Sequence, residues 1–364
     1  MRTRPLVVVS QPYVPSYRVP LFDAIRGILL DEGVELVIAA GEPKGIQAAR
    51  GDNERPKWRS DLDIRTFRIR TREVHWRKLP GTLRSPDVLV SELEALNTLA
   101  WKASFSRTKL ILWGHGAPYV NDSGTLADQI EWALARRAES VMTYAEGGKS
   151  YLTSRGKISP RKITVIGNST DTESLRSAYE SITPDDLRSL KDKWPDAPRA
   201  LFVGGLDHSK RIEFLVDAAI AAKELDARFS LIVVGKGADE YLLSRAGSAI
   251  KYVPAARGAA LAQLGRVTQC IWMPGRIGLV AADALAMGLP VLTTDYDSHA
   301  PEAEFLRPGE RYDLPNTPAE FASQALLLMQ PLVGKSRSLR EDIPSVDSVS
   351  RAFASVVLRT LNNR

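Results

Sequence analysis

The chain has 364 residues, more than one ordinary hydrophobic core supports, so two domains are expected. Its 44% hydrophobic and 25% charged residues exclude disordered and fibrous classes, and no apolar run reaches the roughly 18–20 residues that span a bilayer. Lys and Arg (49) exceed Asp and Glu (43) only mildly, which suits anionic substrates or acidic lipid headgroups, and no nucleic-acid module signature accompanies the excess.

The chain opens with Met1-Arg2-Thr3-Arg4-Pro5 before the apolar run Leu6 to Ser10. That run is too short for a signal core, and Gln11-Pro12-Tyr13 is a poor cleavage site, so a first buried strand is expected and the cytoplasm is the expected compartment. Cys270 is the sole cysteine and has no internal disulfide partner, in keeping with a reducing environment. Further strands are expected at Val34 to Ala40, Ile64 to Ile69, Val88 to Ser91, Leu110 to Trp113, Val141 to Tyr144 and Ile163 to Ile166. In the second half they are expected at Ala200 to Val203, Ser230 to Val234, Ile250 to Val253, Cys270 to Met273 and Val291 to Thr294. Several are unbroken Val/Ile/Leu runs, the pattern of parallel strands buried on both faces. Helical patterns lie between them, at Ser91 to Ala103, Ser123 to Ala138, Lys210 to Leu225 and Gly278 to Met287, and an amphipathic helix closes the chain at Val346 to Leu361. Alternating strands and helices predict an α/β fold of two doubly wound, Rossmann-like domains facing across a cleft.

Ser181 to Arg199 is polar and holds Pro184, Pro195 and Pro198. It is the expected linker (181–199) between an N-terminal domain (1–180) and a C-terminal domain (200–340). Residues 341–364 are expected to form a helix packing back on the N-terminal domain.

Open α/β sheets bind ligands beyond the carboxyl ends of their strands, so the loops there hold the candidate site residues. Gly204-Gly205-Leu206-Asp207-His208-Ser209-Lys210-Arg211 joins glycines, which permit close backbone approach, to a helix start and two cations. It reads as a diphosphate cradle or, more plainly, as a tight turn before a basic helix start. Gly235-Lys236-Gly237 is a weak turn signal on its own. Pro274-Gly275-Arg276-Ile277-Gly278-Leu279 leads into a helix carrying Asp283, a carboxylate placed to accept from a ribose diol among apolar neighbours. Asp295 and Asp297 are two acids two apart, a pair that recurs by chance, and are not read as a metal site.

The C-terminal blocks Phe202 to Ile212, Leu231 to Gly237 and Gly278 to Thr294 resemble, in order, those of glycosyltransferase family 4, retaining enzymes of the GT-B fold. Lys162 to Asp171, with Asn168 and Asp171 in register, and Leu112 to Gly116 are similar to N-terminal blocks of the same family, and Tyr17 to Phe22 is similar to the start of one subgroup. The resemblance implies a nucleotide-sugar donor, a glycan, lipid-linked or small-molecule acceptor, a place in cell-envelope polysaccharide synthesis, and no cofactor or metal. It implies that Lys210 binds the donor diphosphate and stabilises the leaving group, that Asp283 binds the ribose, and that His115 faces the reacting sugar. Gly204, Gly205, Arg211, Gly235, Gly237, Gly275, Arg276, Gly278, Leu279 and Glu302 complete the expected donor site, with Tyr17, Arg18 and His115 on the acceptor side.

Two departures stand out. Gly205 occupies the family's arginine position, with Arg211 or Arg276 as substitutes, and Gly275 replaces the first glutamate of the E-x7-E motif, with Glu302 or Glu304 as a replacement carboxylate. Arg65, Arg68, Arg70, Arg72, Arg77 and Lys78 surround Phe67, His75 and Trp76, a composition suited to an anionic membrane surface or a polyprenyl-phosphate acceptor, or to a solvated edge strand and loop. Gln11-Pro12-Tyr13 after the first strand argues against a dinucleotide-binding dehydrogenase. A nucleotide-sugar 2-epimerase of the same architecture and a non-catalytic scaffold remain the competing expectations.

Overall fold

The structure, a computed structural model, describes residues 4–45, 48, 51–69, 72–119, 126–333 and 339–363. The expected helix start at Ser123 and the cation Arg70 lie outside the described residues, as do the side chains of Arg68 and Arg72. Two compact units form. The first comprises Met1–Lys44, Asp52–Asn168 and Ser345–Arg364, and the second comprises Gly45–Gly51 and Ser169–Pro344.

The first unit holds a parallel sheet in the order β3-β2-β1-β6-β7-β8-β9. Its strands are β1 (Leu6–Gln11), β2 (Glu35–Ala40), β3 (Arg59–Asp61), β6 (Val88–Glu92), β7 (Lys109–Gly114), β8 (Ser140–Thr143) and β9 (Ile163–Val165). Odd positions of β1 (Val7, Val9) face one apolar cluster and even positions (Leu6, Val8) the other, so both faces are buried and no polar alternation survives in the sequence. Helix α1 (Val19–Asp31) buries Leu21, Phe22, Ile25 and Leu29 at helical spacing. The closing helix α11 (Val346–Asn362) joins the same face through Val349, Phe353, Val356 and Val357. It starts at a Ser345/Ser348 capping box, and Lys109 Nζ donates to the carbonyls of Thr360 and Leu361 at its end, both at 3.1 Å.

Ile64 to Ile69 does not enter the parallel sheet. It is β4 (Asp63–Ile69) of an antiparallel hairpin with β5 (Arg72–Lys78), a strand whose alternating charges hid it from the hydrophobic pattern. The helix expected over Ser91 to Ala103 begins only at Thr98 (α2, Thr98–Ser104). Ser91 and Glu92 still extend β6, and Asn97 caps the helix by accepting from the Ala100 N–H at 3.2 Å.

The second unit has six parallel strands in the order β12-β11-β10-β13-β14-β15. They are β10 (Arg199–Val203), β11 (Ser230–Val234), β12 (Ile250–Val253), β13 (Cys270–Trp272), β14 (Val291–Thr294) and β15 (Arg311–Leu314). The chain winds outward from β10 to β12, then returns to the other side of β10 with β13, which creates a topological switch point between β10 and β13.

Residues 181–199 are not an open linker. Pro184 is the first residue of α6 (Pro184–Lys193), where a missing N–H costs nothing, and Thr183 and Asp186 form its capping box. The preceding helix α5 (Thr172–Glu180) buries Leu175 and Tyr179 in the second unit's core, so the division falls at 168/169. Among the described residues no helix is long and apolar enough to cross a membrane.

Candidate functional site

The switch-point loops of the second unit are built from backbone pressed against backbone. Gly204 N–H donates to Val234 O at 3.0 Å and Leu206 N–H to Lys236 O at 2.9 Å, zipping the loop after β10 to the loop after β11. A Cβ on Gly235 would lie 1.8 Å from Gly204 O, and one on Gly237 2.2 Å from Leu206 O. These close approaches account for both glycines as packing residues of the loop pair.

Gly275 has a similar cause. Its Cβ would fall 2.4 Å from Ser209 O and 2.6 Å from the Lys210 carbonyl carbon. The adjacent Arg276 N–H donates to Ser209 O at 2.8 Å. The loop after β10 therefore fills the space in which a side chain at 275 would stand.

Lys210 ends a short 3-10 turn (His208–Lys210) that Asp207 opens by accepting from Ser209 N–H at 3.1 Å. Its Nζ donates to the carbonyl of Arg276. Lys210 also lies across two glycines, since Cβ atoms on Gly204 and Gly278 would come within 3.7 Å of its Cε and 3.9 Å of its Nζ. Gly278 and Leu279 lead into α9 (Val280–Met287), and the N–H groups of Gly278, Leu279 and Val280 have no partner among the described residues. A cation and open helix-start N–H groups thus share one spot, an arrangement that favours an anion.

Arg211 serves a different end. It sits in the left-handed region (φ 55°) between the 3-10 turn and α7 (Ile212–Leu225). Its Nη1 donates to Thr294 Oγ1 at 2.8 Å and Asn316 Oδ1 at 2.6 Å, and its guanidinium lies 4.3 Å from the Phe214 ring centroid. It ties the ends of β10 and β14 together. Arg276 donates to Ser298 O at 3.2 Å. Glu302 is buried in a 3-10 turn (Pro301–Phe305), whereas Glu304 is exposed. Lys210 is the cation that lies over Gly204 and Gly278.

Asp283, in the first turn of α9, accepts from Thr170 Oγ1 at 2.6 Å. Burial pushes its carboxyl up to about 6, against the hydrogen bond from Thr170. His299 was not singled out by its sequence surroundings. Its Nδ1 accepts from Ile277 N–H at 3.1 Å, and its Nε2 is buried with no partner among the described residues. Burial and then Arg311, offset in part by Asp313, hold its imidazole down near about 4, with Lys210 and Arg276 adding to the effect.

In the first unit, the strand ends carry another chemistry. Arg18 donates to Gln11 Oε1 and, at 2.9 Å, to Tyr144 Oη, with its guanidinium 4.6 Å from the Trp113 ring centroid. Burial alone would lower the Arg18 pKa, but Tyr144, Tyr17 and Glu92 raise it above the usual value. The His115 ring meets Tyr144 at 5.4 Å and Tyr119 at 5.8 Å between centroids. Arg18 and His115 are therefore gathered around Tyr144, with Tyr17 beside Arg18; the sequence marks Tyr144 only as a strand end. A Cβ on Gly148 would lie 2.1 Å from His115 O, which seats the end of β7 on the start of α4 (Glu146–Ser154).

Beside this group lies an acidic cluster that the sequence did not reveal. Buried Arg77 pairs with Glu92 at 2.5 Å and Glu94 at 3.2 Å, and His75 Nε2 stands 3.6 Å from Glu94. Burial and Glu92 raise the Glu94 carboxyl, against the pull of Arg77 and His75. On α3 (Leu126–Arg137), burial pushes Glu131 up to about 8, with Asp128 and Glu94 adding repulsion.

Residues 197–330 match the family model described as glycosyl transferases group 1. No curated protein sequence matches the chain. Among solved structures, a glycosyltransferase from Rickettsia africae ESF-5 is similar over 100% of both chains, with a TM-score of 0.64 and 13% identity. Sucrose-phosphate synthase from Thermosynechococcus elongatus is similar over 98% of both chains (TM-score 0.63, 15% identity). The Methanocaldococcus jannaschii UDP-GlcNAc 2-epimerase, solved with UDP-GlcNAc and UDP, is similar over 97% of this chain and 99% of its own (TM-score 0.60, 14% identity). At these identities the likeness establishes the fold, two Rossmann-like domains of the GT-B kind.

Proposed function

We propose that the protein is a glycosyltransferase of the family 4 type that moves a hexosyl group from a nucleotide-sugar donor to a glycan, lipid-linked or small-molecule acceptor, with retention and without a metal ion. Lys210 carries this reading, because its ammonium lies over Gly204 and Gly278 beside the open N–H groups of α9, at the switch point of the unit that matches the group 1 model. Departure of the leaving group builds negative charge on a diphosphate, and a cation with a helix start aimed at it is electrostatic stabilisation of the strongest common kind. Attack from the leaving-group side lets a phosphate oxygen take the acceptor's proton. Activity is expected to survive EDTA; a strict requirement for Mg²⁺ or Mn²⁺ would overturn the metal-free mechanism.

Asp283 is proposed to hold the ribose, and the Tyr17, Arg18 and His115 group to shape the acceptor side. The exposed face of the β4–β5 hairpin, where the register puts Phe67 and Trp76 with Arg65 and Lys78, supports peripheral attachment to an anionic membrane at its inner face. Flotation with anionic vesicles tests this, and an unbound protein at low salt refutes it.

Sugar-nucleotide 2-epimerisation is the second reading, favoured by the likeness to the M. jannaschii epimerase over nearly the whole of both chains. Incubation with a nucleotide-sugar and candidate acceptors separates the two. Free nucleoside diphosphate together with glycosylated acceptor supports transfer, and an epimerised donor supports the rival. Binding of nucleotide with no turnover of either kind would point to a scaffold.

A further inference from the structure

One peptide unit links Lys210 to His299. The carbonyl of Arg276 accepts from Lys210 Nζ, and the N–H of that same peptide, Ile277 N, donates to His299 Nδ1 at 3.1 Å. Because Nδ1 accepts a backbone N–H it carries no proton, so the imidazole is neutral with its proton on Nε2. That Nε2–H is buried and has no partner among the described residues. Buried donors are satisfied in nearly all folded proteins, so an orphan at this place calls for an acceptor that arrives from outside.

The surroundings define its nature. Two further contacts hold the same segments together: Ala300 N–H donates to Ile277 O at 2.8 Å, and Arg276 Nη1 donates to Ser298 O at 3.2 Å. The charged groups acting on His299 are Arg311, Asp313, Lys210 and Arg276, three cations against one carboxylate, and the Tyr296 ring lies 5.7 Å away between centroids. A net positive setting suits an electron-rich oxygen and repels a cation. The chain Lys210 ammonium, peptide, imidazole is polarised in one direction, each bond strengthening the next, so the charge of Lys210 makes Nε2–H a better donor.

We propose that His299 contacts the donor directly, its Nε2–H donating to an oxygen of the sugar-diphosphate. This rests on the nucleotide-sugar reading of the Lys210 site. His299, hydrogen-bonded to the segment where Gly275 has no room for a side chain, supplies a polar contact through an uncharged N–H in place of a carboxylate.

The test uses the full chain and calorimetric titration with UDP, GDP, ADP and dTDP and with their hexose conjugates. His299→Asn retains an amide oxygen near the Nδ1 position for Ile277 N–H but lacks the Nε2 donor. It is expected to melt close to wild type and to bind its ligand about tenfold more weakly. Weakening towards both nucleoside diphosphate and nucleotide-sugar assigns the bond to a phosphate oxygen; weakening towards the nucleotide-sugar alone assigns it to the sugar. A variant that binds as tightly as wild type overturns the proposal while leaving the Lys210 site intact. A wild-type protein that binds none of the ligands overturns the Lys210 reading and the His299 proposal with it. Independently of the variant, ¹⁵N spectra of histidine-labelled wild-type protein should show a neutral, Nε2-protonated His299 at pH 7 whose signal moves on ligand addition. A charged or Nδ1-protonated ring, or a signal that ignores bound ligand, overturns it as well.

Discussion

The two units repeat one topology with different chemistry at their strand ends. In the second unit the switch point between β10 and β13 is lined by glycine backbone, Lys210 and Arg276. In the first, the corresponding point between β1 and β6 is lined by Gln11, Arg18 and the Glu92/Glu94 pair, with Glu94 acting in turn on Glu131 of α3. A parallel sheet with helices on both faces leaves the strand-end loops free to vary, so the scaffold sets where a ligand sits and the loops set its charge. The second unit gathers cations over glycine backbone, and the first gathers carboxylates and aromatic rings.

Phe353→Ala is expected to have the largest effect, removing a fully buried ring that packs on Trp113 at 5.3 Å between centroids. A loss of about 3–5 kcal/mol by chemical denaturation is expected. A near-neutral result would detach α11 from the first unit and break the comparison at its root. Lys210→Ala tests the basic side: turnover should fall by about 10²–10³-fold, as for loss of one transition-state stabilising group. Near-normal turnover would remove the phosphate assignment.

Gly275→Glu asks whether the loop can accept a carboxylate at this position. Its Cβ has no room against Ser209 and Lys210, so the variant should be destabilised by about 1–3 kcal/mol and should not gain activity. A stable, more active variant would show that the loop yields.

The smallest effect separates the units by pH. Glu131 has its carboxyl raised from 4.5 to about 8, so its folded form binds the proton more tightly than the unfolded chain does. That stabilisation is complete below about 4.5 and is lost as pH rises through 8. Glu131→Gln should therefore melt ~2–4 °C above wild type at alkaline pH, with the gap closing towards acid. His299 has the opposite slope: its imidazole is lowered from 6.5 to about 4, so its contribution is present above 6.5 and fades as pH falls towards 4. Parallel pH–melting curves for Glu131→Gln and His299→Asn should diverge from wild type at opposite ends. Coincident curves would deny the difference in chemistry.

The second unit's loops were readable because their constraint marks the residue type itself. A backbone that must approach another backbone within van der Waals contact demands glycine, and glycine at fixed offsets is visible in a sequence. Tyr144, Glu94, Glu131 and His299 were not readable in this way. Each acquires its role from a partner far along the chain: Arg18 for Tyr144, Arg77 for Glu94, Glu94 for Glu131 and Ile277 for His299. The hairpin strand β5 escaped notice for another reason, since its charged residues carry no hydrophobic period.

Unbroken Val, Ile and Leu runs separated by helical patterns were sufficient to establish two parallel, doubly wound sheets, because burial on both faces leaves no other economical arrangement. The sequence also marked Lys210 and the glycines beside it. Tertiary structure alone decided that Gly275 has no space for a side chain, that Arg211 is tied to Thr294 and Asn316, and that the neutral ring of His299 is joined to Lys210 through one peptide. Those outcomes depend on which strand lies beside which, and adjacency in a sheet is a property of the folded chain.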